Sequence, residues 1–224
     1  MIRVSLSPQR IARWFVFTSL FALAMFCVTG RLDLPMLNAF VAMCAGIFLV
    51  ATLFVDPELI RERTRRGQTS ADPLRLALIR VLFLGFLLVA LLDVGRFHWS
   101  DTVPRALQVA SLLVTAGSMA WTFWAVAANR FFLPVIRIQA ERGHRVVSEG
   151  PYARIRHPGY AGNVLSAPAS ALALGSWWAL VPALAVSLLF VLRAAHEDRF
   201  LREHLEGYRD YAARVRYRLV PHVW

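Results

Sequence analysis

Apolar residues gather into long blocks separated by short polar stretches, and the block lengths predict helices that cross a bilayer. Four blocks cover about 11–29, 35–55, 76–95 and 104–128. A further apolar stretch from Tyr160 to Leu192 is too long for one ordinary span, and Gly175-Ser176 divides it into spans of about 160–174 and 177–196. Trp177 and Trp178 at that break suit the aromatic belt of a membrane surface. The first of these two spans is short, which fits little tilt or burial against its neighbours. The basic start and first apolar run also resemble a cleavable signal. That run is long and lacks a small-x-small cleavage site, so it reads as a retained span.

The connections add detail. Gly30-Arg-Leu-Asp-Leu-Pro35 is a tight turn whose proline suits the start of the next helix. Asp56 to Arg66 mixes both charges and reads as a short helix at the interface. Arg80 lies close enough to the start of the third span to snorkel. Asp93, near the end of that span, is either solvated at the interface or, if buried, in need of a partner. Residues 130–158 are polar and contain six arginines, and the tail from Arg199 is densely basic, reading as a charged helix folded back towards that loop.

Composition narrows the class. The 224 residues are 58% hydrophobic and 17% charged, against about 45–50% and 25% in soluble domains. The net charge of +11 comes from arginine alone, since the chain has no lysine. With six spans, the odd-numbered connections hold few arginines, chiefly Arg31 and Arg96 with Arg105 just beyond. Arg3, Arg10, the even connections and the tail hold most of the rest, so both termini and the 130–158 loop face the cytoplasm. Arginines distributed this way point to topology rather than to nucleic acid. The lack of lysine suggests a GC-rich genome, hence a bacterial inner membrane. Cys27 and Cys44 both lie inside apolar blocks without ligand spacing, so neither a disulfide framework nor a metal site is expected.

Chemistry-bearing residues crowd into the last hundred positions. His144-Arg-Val-Val-Ser-Glu-Gly-Pro-Tyr152 leads into Arg156-His-Pro-Gly-Tyr-Ala-Gly162. Arg193-Ala-Ala-His-Glu197-Asp198, Gly207-Tyr208-Arg-Asp-Tyr211 and Pro221 follow. In order and spacing this resembles the isoprenylcysteine carboxyl methyltransferase family, within a wider group that includes phospholipid methyltransferases. The likeness covers about residues 129–221, while 1–128 match only as generic spans. The family's Asn-Phe-Asn-His run-in is replaced by Asn129-Arg-Phe-Phe. The resemblance implies an all-α integral membrane protein of about six transmembrane helices. Four N-terminal spans (1–128) would precede a catalytic region (129–224), with a cytoplasmic-side pocket formed by the 130–158 loop, the last two spans and the C-terminal helix.

The implied cofactor is S-adenosyl-L-methionine and the implied partner a lipophilic or lipidated acceptor reached from the bilayer. Cofactor contacts carry over onto His144, Arg145, Val146, Val147, Tyr152, His157, Pro158, Gly159, Tyr160 and Glu197, with Gln139 a looser match because it lies closer to His144 than in the family. The residues suit the ligand: a carboxylate such as Glu197 for its ammonium, donors such as His157, Tyr152 or Tyr160 for its carboxylate, and backbone groups near Val146 and Val147 for the adenine edge. Arg193, one helical turn before Glu197, forms an intrahelical pair or membrane anchor in isolation. The resemblance instead makes it the orienter of an acceptor carboxylate, so that Arg193 and Glu197 are the catalytic pair. A carboxylate acceptor needs alignment and a dry site but no base. An amine or thiol acceptor would need one, with His196 or His157 nearest. Phospholipid N-methylation, thiol S-methylation, an NADPH-dependent reductase like the sterol reductases, and a non-catalytic scaffold are the alternatives. Tyr208 and Tyr211 are expected to pack the tail over the pocket.

Overall fold

The computed structural model describes residues 8–65 and 67–224. Arg3 and Arg66, both counted in the charge reading, lie outside the described residues. Regular structure among the described residues is helical: α1 (Pro8–Thr29), α2 (Pro35–Phe54), α3 (Pro57–Thr64), α4 (Pro73–Leu92), α5 (Arg105–Ala128), α6 (Pro158–Leu174), α7 (Leu180–His204) and α8 (Tyr208–Arg214). Proline stands at the first helical position of α2, α3, α4 and α6, where its missing N–H costs nothing and its fixed φ favours the turn. Helices α1, α2, α5, α7 and the stretch Pro73–Phe97 are long and apolar enough to cross a membrane. The chain is an integral membrane protein.

The sixth expected span is α6, whose 17 residues rise only ~26 Å, less than the ~30 Å apolar core of a bilayer. It tolerates this by burial. Gly162 lies so close to α5 that a Cβ there would stand 2.7 Å from the Ser118 carbonyl oxygen. Pro168 sits inside α6 and removes the N–H that would bond the Val164 carbonyl. Ser187 of α7 donates its hydroxyl to that carbonyl at 2.8 Å. In a bilayer every backbone group must be satisfied within the protein. We expect Ser187→Ala to lower stability by about 1–3 kcal/mol through the orphaned carbonyl. Thermal unfolding in detergent checks this, and an unchanged midpoint would show that Val164 finds another donor.

Asp93 takes the second of its two readings and does not reach solvent: it is fully buried, accepting from the Ser100 backbone N–H at 3.0 Å and from the hydroxyls of Ser100 and Ser176 at 2.5 Å each. The carboxylate thereby ties the connection after α4 to the one between α6 and α7. The charged tail helix does not begin at Arg199 either. Because no glycine or proline interrupts it, α7 runs on to His204, and the chain reverses at Gly207, whose φ of +74° suits the turn. Arg193, Glu197 and Asp198 therefore share one rigid helix end.

Candidate active site

The loop from Asn129 to His157 is irregular, so side chains hold its shape. Gln139 is 1% exposed; its amide nitrogen donates to the Phe131 carbonyl at 2.7 Å and its amide oxygen accepts from Arg142 at 2.5 Å. Phe131 lies against the His144 ring, 4.6 Å between centroids, with the Arg130 and Arg142 guanidinium groups over its own ring. Helix α3 braces the outer side of the loop. Arg137 pairs with Glu62 at 3.4 Å, Arg142 with Glu58 at 3.3 Å, and Arg63 donates to the Phe132 carbonyl at 3.0 Å. The interfacial segment thus acts on the loop as well as on the spans.

On the opposite side, the end of α7 meets the start of α6 and the tail. Asp198 is fully buried and accepts from Arg156 at 2.6 and 3.3 Å, Arg202 at 3.1 Å, Arg218 at 3.1 Å and the Tyr208 hydroxyl at 3.0 Å. The His157 ring lies 3.5 Å from the same carboxylate. Arg156 also donates to the carbonyls of Val215 and Arg216, so its guanidinium is spent on holding the tail. The backbone N–H groups of Arg156 and His157 donate to Tyr217 and Arg218 at 2.9 Å. Tyr211 donates to the Tyr152 carbonyl at 2.8 Å.

Between loop and helix ends lies a cavity of about 770 Å³, counting its open mouth. The structure brings most of the expected cofactor residues to its wall: Gln139, His144 to Val147, Tyr152, His157, Gly159, Tyr160 and Glu197. Pro158 is not on it, because it is the first residue of α6. Tyr208 and Tyr211 close the cavity, as expected of the tail. Burial and the nearby Arg137 and Arg142 charges lower the His144 pKa to about 4, so the ring is neutral at pH 7 and its Nδ1 accepts from the Gln139 N–H at 3.3 Å. Burial raises the Tyr152, Tyr208 and Tyr211 hydroxyls well above the ordinary phenol range, so all three are donors at neutral pH.

The Arg193–Glu197 pair is not direct. Tyr160 bridges it, donating to Glu197 at 2.5 Å while accepting from Arg193 Nε at 3.0 Å. Arg193 is 1% exposed; one terminal nitrogen donates to the Pro134 carbonyl at 2.5 Å and the other has no hydrogen-bond partner among the described residues. It stands behind the cavity wall, next to Tyr160 and Pro134, rather than on it. Sequence reasoning left Arg156 and Asp198 without a role. Their presence inside the quoted motifs was the available signal.

These features define a class: an integral membrane protein with a cavity lined by polar and apolar side chains at one end of its helix bundle. Residues 105–207 match the model of the phospholipid methyltransferase family. The match begins at Arg105 and so takes in α5, which the sequence had placed among the generic spans. A rice protein described as a probable protein-S-isoprenylcysteine O-methyltransferase (Oryza sativa subsp. indica) is 32% identical over 109 residues, 48% of this chain and 57% of the rice protein. Protein-S-isoprenylcysteine O-methyltransferase B of Arabidopsis thaliana is 32% identical over 92 residues, 40% and 47% of the two chains. The nickel-cobalt-cadmium resistance protein NccN of Alcaligenes xylosoxydans xylosoxydans is 28% identical over 142 residues, 63% and 62%. The chain spans about half the length of the plant relatives it matches.

Proposed function

We propose that the protein transfers a methyl group from S-adenosylmethionine to a lipophilic acceptor, an isoprenylcysteine-like carboxylate. The donor set fits the cofactor. Glu197 gives one oxygen to Tyr160 and, having about four acceptor sites in all, keeps capacity for an ammonium group. Val146, Val147, Leu201 and Leu205 supply apolar wall for a purine. The cofactor brings a methyl group activated by a sulfonium. What remains for the protein is to bind, align and exclude water.

The observation that carries the acceptor assignment is the buried Arg193 guanidinium, one of whose terminal nitrogens has no partner among the described residues. A buried cation with a free donor is costly unless a ligand completes it, and a carboxylate is the matching acceptor. An amine or thiol acceptor would call for a base, and the histidines are poorly placed for it. The His157 ring is on the cavity wall but is engaged by Asp198 and Tyr208.

Calorimetry with S-adenosylhomocysteine on detergent-purified protein tests the cofactor site. Micromolar binding is expected, weakened about 10- to 100-fold by Glu197→Gln through loss of a charge-assisted hydrogen bond. A folded protein that does not bind the nucleoside would sink the methyl-transfer reading. Methylation of a prenylated cysteine with a free carboxylate, set beside phosphatidylethanolamine, then decides the acceptor.

A further inference from the structure

A second recess lies on the far side of the 134–135 segment from the cavity. This open groove of about 910 Å³, counting its mouth, runs between the end of α3, the start of α4 and Pro134-Val135. Arg63, Arg65 and Arg80 line it, with Thr69 and Ser70, and among the described residues no acidic one does. Among the described residues the one carboxylate paired with any of them is Glu62, which Arg65 and Arg137 share at 3.4 Å each. Positive charge is therefore in excess.

Arg80 is the most informative of the three. It lies seven residues into α4, ~10 Å along a helix that crosses the membrane. It is exposed, and among the described residues it has no ion-pair partner. Cations inside spans normally pair, or reach the interface along their own stem. Here the arginine lines the same groove as Arg63 and Arg65, beside the start of the apolar span. Ser70 points to the same conclusion independently. Its hydroxyl oxygen accepts from the backbone N–H groups of Asp72 at 3.2 Å and Ile136 at 3.1 Å, which leaves its proton to donate. The groove thus presents guanidinium groups and a hydroxyl donor to an anion at the membrane boundary, a donor set suited to phosphate.

We infer that this groove binds the phosphate headgroup of an anionic phospholipid. The ligand would rest against Pro134 and Val135, the segment that also accepts from Arg193 and forms part of the cavity wall. The inference does not depend on methyl transfer.

Binding of a fluorescent phosphatidylglycerol to the detergent-purified full chain tests it, with phosphatidylcholine as the zwitterionic comparison. Phosphatidylglycerol should bind at least about tenfold more tightly, and Arg80→Gln and Arg65→Gln should each weaken it about fivefold. Arg80→Lys, which keeps the charge, should retain most of the affinity, and Arg209→Gln on the tail should change nothing. Among the described residues Arg80 makes no ion pair, so its replacement is expected to leave the fold intact, which an unchanged unfolding midpoint verifies. Equal binding of both lipids, or full binding by the Arg65/Arg80 double variant, overturns the assignment. Displacement of the lipid by an equal concentration of inorganic phosphate would make the site one for the free anion and overturn the lipid assignment as well.

Discussion

Replacing Asp198 by asparagine is expected to destabilise the protein by about 3–5 kcal/mol, the usual cost of leaving a buried cation without its counter-ion. Asp198 and Arg156 are both almost fully buried, and the carboxylate holds Arg156 in a two-pronged contact. Asparagine keeps the size but loses the charge and one acceptor. The freed Arg156 would still face the tail carbonyls of Val215 and Arg216, so the α6 start, α7 end and tail should loosen together. Arg218→Gln provides the contrast. That side chain is 32% exposed and solvent screens its pairing, so its loss should cost less than about 1 kcal/mol. Chemical unfolding of purified protein in mild detergent measures both. Equal, small effects would mean that Asp198 is not what joins the tail to the bundle.

Arg193→Gln is expected to leave S-adenosylhomocysteine binding within a few-fold of wild type while lowering turnover about 100-fold or more, as loss of a preorganised charged donor does. The separation follows from position. Glu197 lines the cavity, whereas Arg193 stands behind Tyr160 with one terminal nitrogen unpaired among the described residues. Arg193→Lys should rescue little. An ammonium retains the charge but cannot hold Tyr160, Pro134 and a third group in the planar fork that guanidinium provides. Kinetics with a prenylcysteine carboxylate, set beside nucleoside binding by the same variants, makes the test. If Arg193→Gln lost nucleoside binding in a folded protein, Arg193 would belong to the cofactor site and the carboxylate assignment would fall.

The spans were legible because each depends on its own residues: a long apolar block must be helical in a bilayer, whatever lies beside it. The short block at 160–174 was readable for the same reason, though the enclosure that lets it be short was not. The motif residues could be placed near a common site because their spacing resembles a known family. Their pairings could not. The Arg193–Glu197 spacing on one helix suggested a direct contact, and Tyr160, 37 residues before Glu197, stands between them instead. Position along the helix left Asp93 open between solvent and burial, because the serines that cover it come from two other connections.

The sequence by itself determined the helical class, the membrane location, the order of the spans and the identity of most residues around the cavity. All of these follow from local hydrophobicity, proline and glycine positions, and a motif that stays together along the chain. Only the tertiary structure decided which charges are shared. Asp198 gathers Arg156 from 42 residues away and Arg218 from 20, and α3 reaches the cavity loop through Arg137 and Arg142. Such pairings depend on which helix ends lie side by side in space. Packing sets that arrangement, and no single segment of sequence encodes it.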